Sequence, residues 1–161
     1  METNTNTSIA AMIKDVGICM FTTVDEAGKV TSRPMATIHV DENNNIWFFT
    51  NEFSEKIHDV SRDNVVNLIY SHPGKNTYLD IHGTCKIIVD KSVMKTHWNP
   101  MMKAWFPAGL DDPKLCMLQV ITQDAYYWNS SANRMVVFAG MFKAIVKGEK
   151  YAEGEAGKVK L

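Results

Sequence analysis

ICMFTTVDEAGKVTSRPMATIHVDENNNIWFFT, residues 18–50, is the stretch on which the fold of this 161-residue chain turns. It holds three runs rich in β-branched and aromatic residues, ICMFTTV, VTSRPMATIHV and IWFFT. Two clusters, DEAGK and DENNN, separate them. Side chains that suit a pleated surface, punctuated by Asp, Asn and Gly, describe antiparallel strands joined by short turns. Pro34 interrupts the second run. It has no N–H to give to a ladder, so that point must be an edge, a bulge or a place where the strand faces something other than a strand.

Outward from this meander, VVNLIYSH reads as a fourth strand, HPGKN as a turn and TYLDIHGTCKIIVD as a long fifth strand. Gly83 within the fifth suggests a bulge or a close backbone approach. KLCMLQVIT and DAYYWNSS return to strand character, with Gln123 and Asp124 expected at a turn between them. Helices flank the strands. Ser8 precedes Ile9, Met12, Ile13 and Val16, which share one helical face, and Gly17 can close the helix in a left-handed conformation. Residues 51–63 form a second short helix in which Ser54 fits the N-cap, and KSVMKTHW a third. The apolar run ANRMVVFAGMFKAIVKG is ambiguous by period; its length, alanines and closing Lys147-Gly148 favour a helix. Residues 1–7 are expected to be disordered, 8–150 to form one domain and 151–161 a loose tail. At least six strands with helices only between or beside them predict a mostly β fold with flanking helices. The sheet is antiparallel and curls into a barrel, because closure buries one face and removes the edges.

Composition removes several classes of function. A formal charge of −1 and a pI near 6.5 give no field to draw nucleic acid or anionic lipid. Lys14 and Asp15 break the one apolar run near the N-terminus, which has no basic leader, so neither a membrane role nor export is expected and a cytoplasmic protein is. Cys19, Cys85 and Cys116 are odd in number and far apart, as buried free thiols are. His39, His58, His72, His82 and His97 are scattered without metal-ligand spacing, and no metal is expected. The chain has no GxSxG, P-loop or GxGxxG, and no side chain is singled out as catalytic.

Two sets of residues remain. Ser32 and Arg33, Thr50, and Ser54 with Lys56 can supply a guanidinium fork, a mobile charge, hydroxyls and helix-start amides to a phosphate. Each also has a bland reading as a solvated charge, a cap or a strand residue. Trp98, Trp105, Phe106, Trp128 and Tyr126 offer flat apolar faces suited to a planar heterocycle, an oligomer interface or a barrel plug. HWNPMMKAWFPAGLDDP, residues 97–113, concentrates this second set between prolines. It is either a plug for a core or a surface that covers something flat.

SRPM (32–35), WFFTNEFSEK (47–56), WNPMMKAWFPAGLDDP (98–113) and the later YYW (126–128) resemble the pyridoxamine 5'-phosphate oxidase-like flavoproteins, in particular their general stress protein branch. The resemblance covers about residues 8–150 and implies a six-stranded split barrel. It also implies a homodimer that binds FMN in two clefts between subunits. It would place Arg33, Lys56, Ser54 and Thr50 on the 5'-phosphate. Ser32 to Met35 and Phe49 to Thr50 would lie along the ribityl chain and ring edge, and Trp105, Phe106 and Trp128 would line the cleft, in part from the other subunit. The implied activity is flavin-dependent oxidoreduction of a small acceptor, with NAD(P)H or another small donor and a role in stress. An FMN-binding sensor or storage protein without turnover is the alternative. FAD, deazaflavin or haem (with His39 or His82 as its ligand) are further options for the same barrel. Oxidation of vitamin B6 is expected less, because Glu55 stands where those oxidases carry an Arg-Lys pair, and the C-terminal residues have no Arg-x-His segment.

Overall fold

A computed structural model of the protein describes residues 8–51, 55–129, 146–148 and 155–158. Helix α1 (Ile9–Val16) begins where Ser8 accepts a hydrogen bond from the Ala11 amide (3.1 Å), and ends where Gly17, at φ +78°, donates to Ile13. Its Ile9, Met12 and Ile13 are buried. Strands β1 (Ile18–Val24), β2 (Val30–Ala36), β3 (His39–Val40) and β4 (Ile46–Asn51) then form the expected meander. Asp25 ties the first turn by accepting from the amides of Ala27 and Lys29, and Asp41 ties the second by accepting from those of Asn43 and Asn45. Asn44 takes the left-handed conformation that this second turn requires.

The remaining elements are α2 (Glu55–Arg62), β5 (Val65–His72), β6 (Thr77–Ile88), α3 (Lys91–His97), β7 (Leu115–Asn129) and β8 (Glu155–Lys158). All strand pairs are antiparallel, in the order β2-β1-β5-β6-β7-β4-β3, with β8 added beside β7 beyond the end of β4. The chain passes from β2 straight into β3, so one run pairs with β1 at its start and with β4 at its end. Counted as one strand, β2 and β3 join the two ends of the sheet into a six-stranded split barrel. Phe21 and Phe48 meet edge to face in its core, 5.4 Å apart, among Leu68, Ile81, Met117 and Leu118.

Two strand readings change. VTSRPMATIHV is broken at Thr37 and Ile38: Ile38 donates to the Trp47 carbonyl (2.9 Å) while His39 is already the register partner of Trp47. Two residues oppose one, and that bulge turns the strand from one neighbour to the other. Gln123 and Asp124 are not at a turn. β7 runs through them, and Gln123 is the extra residue where His82 pairs with Asp124 and Gly83 with Thr122. Gly83 satisfies both expectations made for it, since it lies at the bulge and a Cβ there would collide with the Ile121 carbonyl oxygen. Within the segment expected to be a loose tail, Glu155–Lys158 pairs with Tyr126–Asn129, and Lys158 bonds Asp124. Of the expected helix at 132–148, all but the helical turn at 146–148 lies outside the described residues, as does the expected tail 1–7. No helix among the described residues is long and apolar enough to cross a membrane. The three cysteines are buried and none is in a disulfide among the described residues, and burial pushes the Cys19 and Cys85 thiols up to about 12.

Candidate functional site

The barrel wall is parted between β2 and β4. β2 pairs only with β1, and on that side β4 meets only the two residues of β3, so among the described residues no strand joins Ser32–Ala36 to Phe48–Asn51. Backbone direction follows from the ladders. Thr37 donates to Gly17 (2.9 Å), so Met35, Arg33 and Thr31, two, four and six residues back, turn their amides and carbonyls toward β1. Ser32, Pro34 and Ala36 turn theirs into the parting. Pro34 therefore stands where an N–H would have met no strand, and the ladder loses nothing. On the facing lip, Asp41 donates to Asn45 (3.0 Å) in the same ladder that pairs His39 with Trp47, which directs the backbone of Trp47, Phe49 and Asn51 away from β7. The two lips thus present main-chain donors and acceptors to one narrow space.

Arg33 closes one end of this space. Its guanidinium donates to the Thr23 hydroxyl (2.7 Å) and to the Thr31 hydroxyl (3.0 Å), and lies 3.6 Å from Asp59 of α2. Thr23 in turn donates to Asp59 (2.7 Å). Thr23 and Asp59 are buried and the Arg33 side chain is 22% exposed, so the fork is held in a fixed geometry beside α2. Ile57 and Val60 press the same helix onto the core. Lys56 lies on α2 one turn before Asp59, which puts its backbone at the Arg33 end. Its side chain and all of Ser54 lie outside the described residues.

The other expected site residues separate into groups. The Ser32 hydroxyl bonds Thr22 across the ladder (2.7 Å) on the exposed face, away from Arg33. Met35 packs against the core, and Phe49 and Thr50 are buried, so the first two can address the parting through nearby backbone rather than side chains. Phe106 and Trp98 pack on Phe49, at 6.4 and 5.5 Å between rings. Trp98, Met102, Phe106 and Leu110 recur at intervals of four and face the core, whereas Met101 and Trp105 are 77% and 74% exposed. The segment 97–113 is therefore both a plug and a surface, with Trp105 on the outer side. Trp128 stands on the half of β7 that β4 does not reach, opposite Tyr78 and on the outside of the barrel. A single chain does not bring Trp128 to Arg33.

Sequence reasoning did not single out Thr23, Thr31 or Asp59. An Asp in a short polar helix reads as solvated, and only the packing of α2 over β1 brings it to Arg33. A second polar cluster lies where β3 meets β4: His97 stacks on Trp47 (5.3 Å) and lies 5.1 Å from His39, and the Trp47 indole donates to Asp41 (3.1 Å). Burial and the neighbouring His39 push His97 below its ordinary value, against the pull of Asp41. For Asp41, burial raises the carboxyl, but the hydrogen bonds from Asn45, Trp47 and Asn43 outweigh it and hold the group below the usual range.

Comparison with known proteins places this architecture. The family model "Pyridoxamine 5'-phosphate oxidase like" matches residues 4–152. Protein bli-3 of Neurospora crassa is 27% identical over 140 residues, 81% of this chain and 67% of its own. The general stress FMN/FAD binding protein of Xanthomonas citri is 29% identical and superposes with a TM-score of 0.64, over 75% of this chain and 86% of the other. A protein of Jannaschia sp. CCS1 assigned as general stress protein 26 superposes with a TM-score of 0.74 over 94% of both chains, at 22% identity.

Proposed function

Since the chain belongs to the pyridoxamine 5'-phosphate oxidase like family, we propose that it binds FMN in the parting between β2 and β4 and serves as a flavin-dependent oxidoreductase on a small acceptor. The observation that carries this reading is the pair of lips with Arg33 at one end. Main-chain groups of Ser32, Pro34, Ala36 and Phe49 suit the alternating donors and acceptors of a flavin edge, and a guanidinium held by Thr23, Thr31 and Asp59 suits a phosphate. Bound flavin would supply the electron chemistry; the chain positions it, sets its surroundings and limits the access of water. On this reading Ser54 and Lys56, named from the sequence, are the further phosphate contacts. The name of the Xanthomonas citri protein, FMN/FAD binding, supports a flavin, and the choice of FMN follows from a cradle built for one terminal phosphate.

The proposal includes a cytoplasmic homodimer. Ile18, Met20, Ile69, Tyr78, Tyr126 and Trp128 are exposed on one face of β1, β5, β6 and β7, and the register places Met20 beside Ile69 and Tyr78 beside Trp128. An exposed face with this many large apolar side chains, interrupted by Ser71 and Asp80, suits a two-fold interface. It would bring Trp128 of the partner subunit to the flavin that a single chain keeps it from. The lips themselves are main chain, which favours as second reading an FMN sensor or store without turnover.

One preparation tests both readings. Protein purified without denaturation is loaded with FMN, freed of excess, sized by light scattering and mixed anaerobically with NADH or NADPH. A dimer that keeps its flavin bands and bleaches supports the oxidoreductase. Retained bands that no donor bleaches select the sensor or store. A colourless protein defeats both.

A further inference from the structure

A cleft of about 350 Å³ opens between α1 and the chain that leaves β2, walled by Ala10, Ile13, Gly17, Thr37, Ile38 and Val40, with Lys14 and His39 also lining it. That volume is at the lower end of what small-ligand sites offer. Its lining is about evenly polar and apolar, with Ile13, Ile38 and Val40 supplying apolar surface, and its two ionisable groups are both of the basic type. Among the described residues no carboxylate lines it: Asp15 is engaged by Lys75 (3.2 Å), and Asp41 is turned into its own loop by Asn43, Asn45 and Trp47. The Thr37 hydroxyl is already bonded to Tyr70 (2.6 Å), which leaves Lys14 and His39 to recognise a ligand's polar group.

We propose that this cleft binds a small organic carboxylate, its apolar body against Ile13 and Ile38 and its anionic end between Lys14 and His39. The position gives the site a role. Thr37 follows directly on the lip Ser32–Ala36 and lies four residues along the strand from Arg33, roughly 13 Å at the rise of an extended chain. Arg33 marks one end of the parting and the cleft the other. On the flavin reading above, a molecule in the cleft sits at the end away from the phosphate, where an electron acceptor or donor would approach. The role rests on that reading; the binding does not.

Benzoate and its neutral isostere benzamide are the probes, titrated into isotopically labelled protein without flavin and, separately, with FMN loaded. The expected result is saturable movement of the Gly17, Ile38 and Val40 amide signals with benzoate, and weaker movement with benzamide. Lys14→Gln should bind benzoate roughly three- to fivefold more weakly, as the loss of one exposed charge pair implies. Ala10→Trp, at an exposed position of α1, should fill the cleft and abolish the shifts while the other amide signals stay in place. Signals that do not move, or that move equally for both probes, overturn the proposal. So does Ala10→Trp protein that binds benzoate as the wild type does. FMN retention is scored on its own: protein that holds FMN but ignores benzoate loses the cleft alone, and protein that binds benzoate without ever holding FMN loses the flavin reading alone.

Discussion

The seam between β6 and β7 and the seam between β2 and β4 belong to one barrel and have opposite characters. At the first, two long strands run so close that Gly83 has no room for a Cβ beside Ile121. At the second, a proline and a bulge lie on a strand that stands apart from its neighbour, and backbone groups of the two lips face a gap. A residue without a side chain marks the closed seam and one without a donor marks the open one. Gly83 admits a neighbouring backbone, whereas Pro34 stands where no neighbour is needed. The gap leaves the core intact, because it lies where the chain passes from its pairing with β1 to its pairing with β4.

Breaking the closed seam should cost most. Gly83→Ala sets a methyl against main chain, which cannot swing aside as a side chain would, and should destabilise the protein by about 3 kcal/mol in urea denaturation. A loss under about 1 kcal/mol would show that the two strands can part at the bulge. The next largest effect belongs to the clamp at the end of the open seam. Asp59→Ala removes the carboxylate that Thr23 donates to and that faces Arg33, for a loss of about 2 kcal/mol by the same measurement. Unchanged stability would mean that the fork is held by Thr23 and Thr31 alone.

Asp41 holds the turn between β3 and β4. Its carboxyl is depressed in the folded protein, so its contribution is complete above the unfolded value of about 3.9 and is lost as pH falls through the lower folded value. Asp41→Ala should therefore be about 1 kcal/mol less stable at neutral pH, and the difference should shrink on acidification below pH ~4. A difference independent of pH would assign the effect to packing. Pro34→Ala should do least to stability, within about 0.5 kcal/mol, because the N–H it restores faces the parting and not β1. A large loss would show that the ring, and not the missing donor, shapes the lip.

Much of this architecture can be read from residues 18–50 alone, because Asp25, Gly28, Asp41 and Asn44 mark turns by local chemistry that tertiary structure does not override. Gly83 was equally legible as a bulge. The break at Thr37 and Ile38 was not: alternation continues through it, and only the switch of partner from β1 to β4 reveals a kink. Gln123 misled because a polar pair inside an apolar run looks the same in a turn and in a bulge. For the site, Arg33 stood out by its type and by the family pattern around it. Its partners Thr23, Thr31 and Asp59 carry no local signal, since a Thr on a strand and an Asp on a short helix have ordinary roles there. Ser32 shows the converse: adjacent to Arg33 in sequence, it points to the opposite face of the strand, as period two demands.

The central claim is that the open seam is a flavin slot with Arg33 at its phosphate end. Titration of FMN and of riboflavin into flavin-free protein, followed by flavin fluorescence, tests it most directly, with wild type beside Arg33→Ala and Lys56→Ala combined. The account predicts one FMN per chain, much weaker riboflavin binding, and a loss of about 1.5–3 kcal/mol of FMN affinity for each charge-assisted donor removed, with little change for riboflavin. Equal affinity for FMN and riboflavin in the wild type, or wild-type FMN affinity in the double variant, would contradict it.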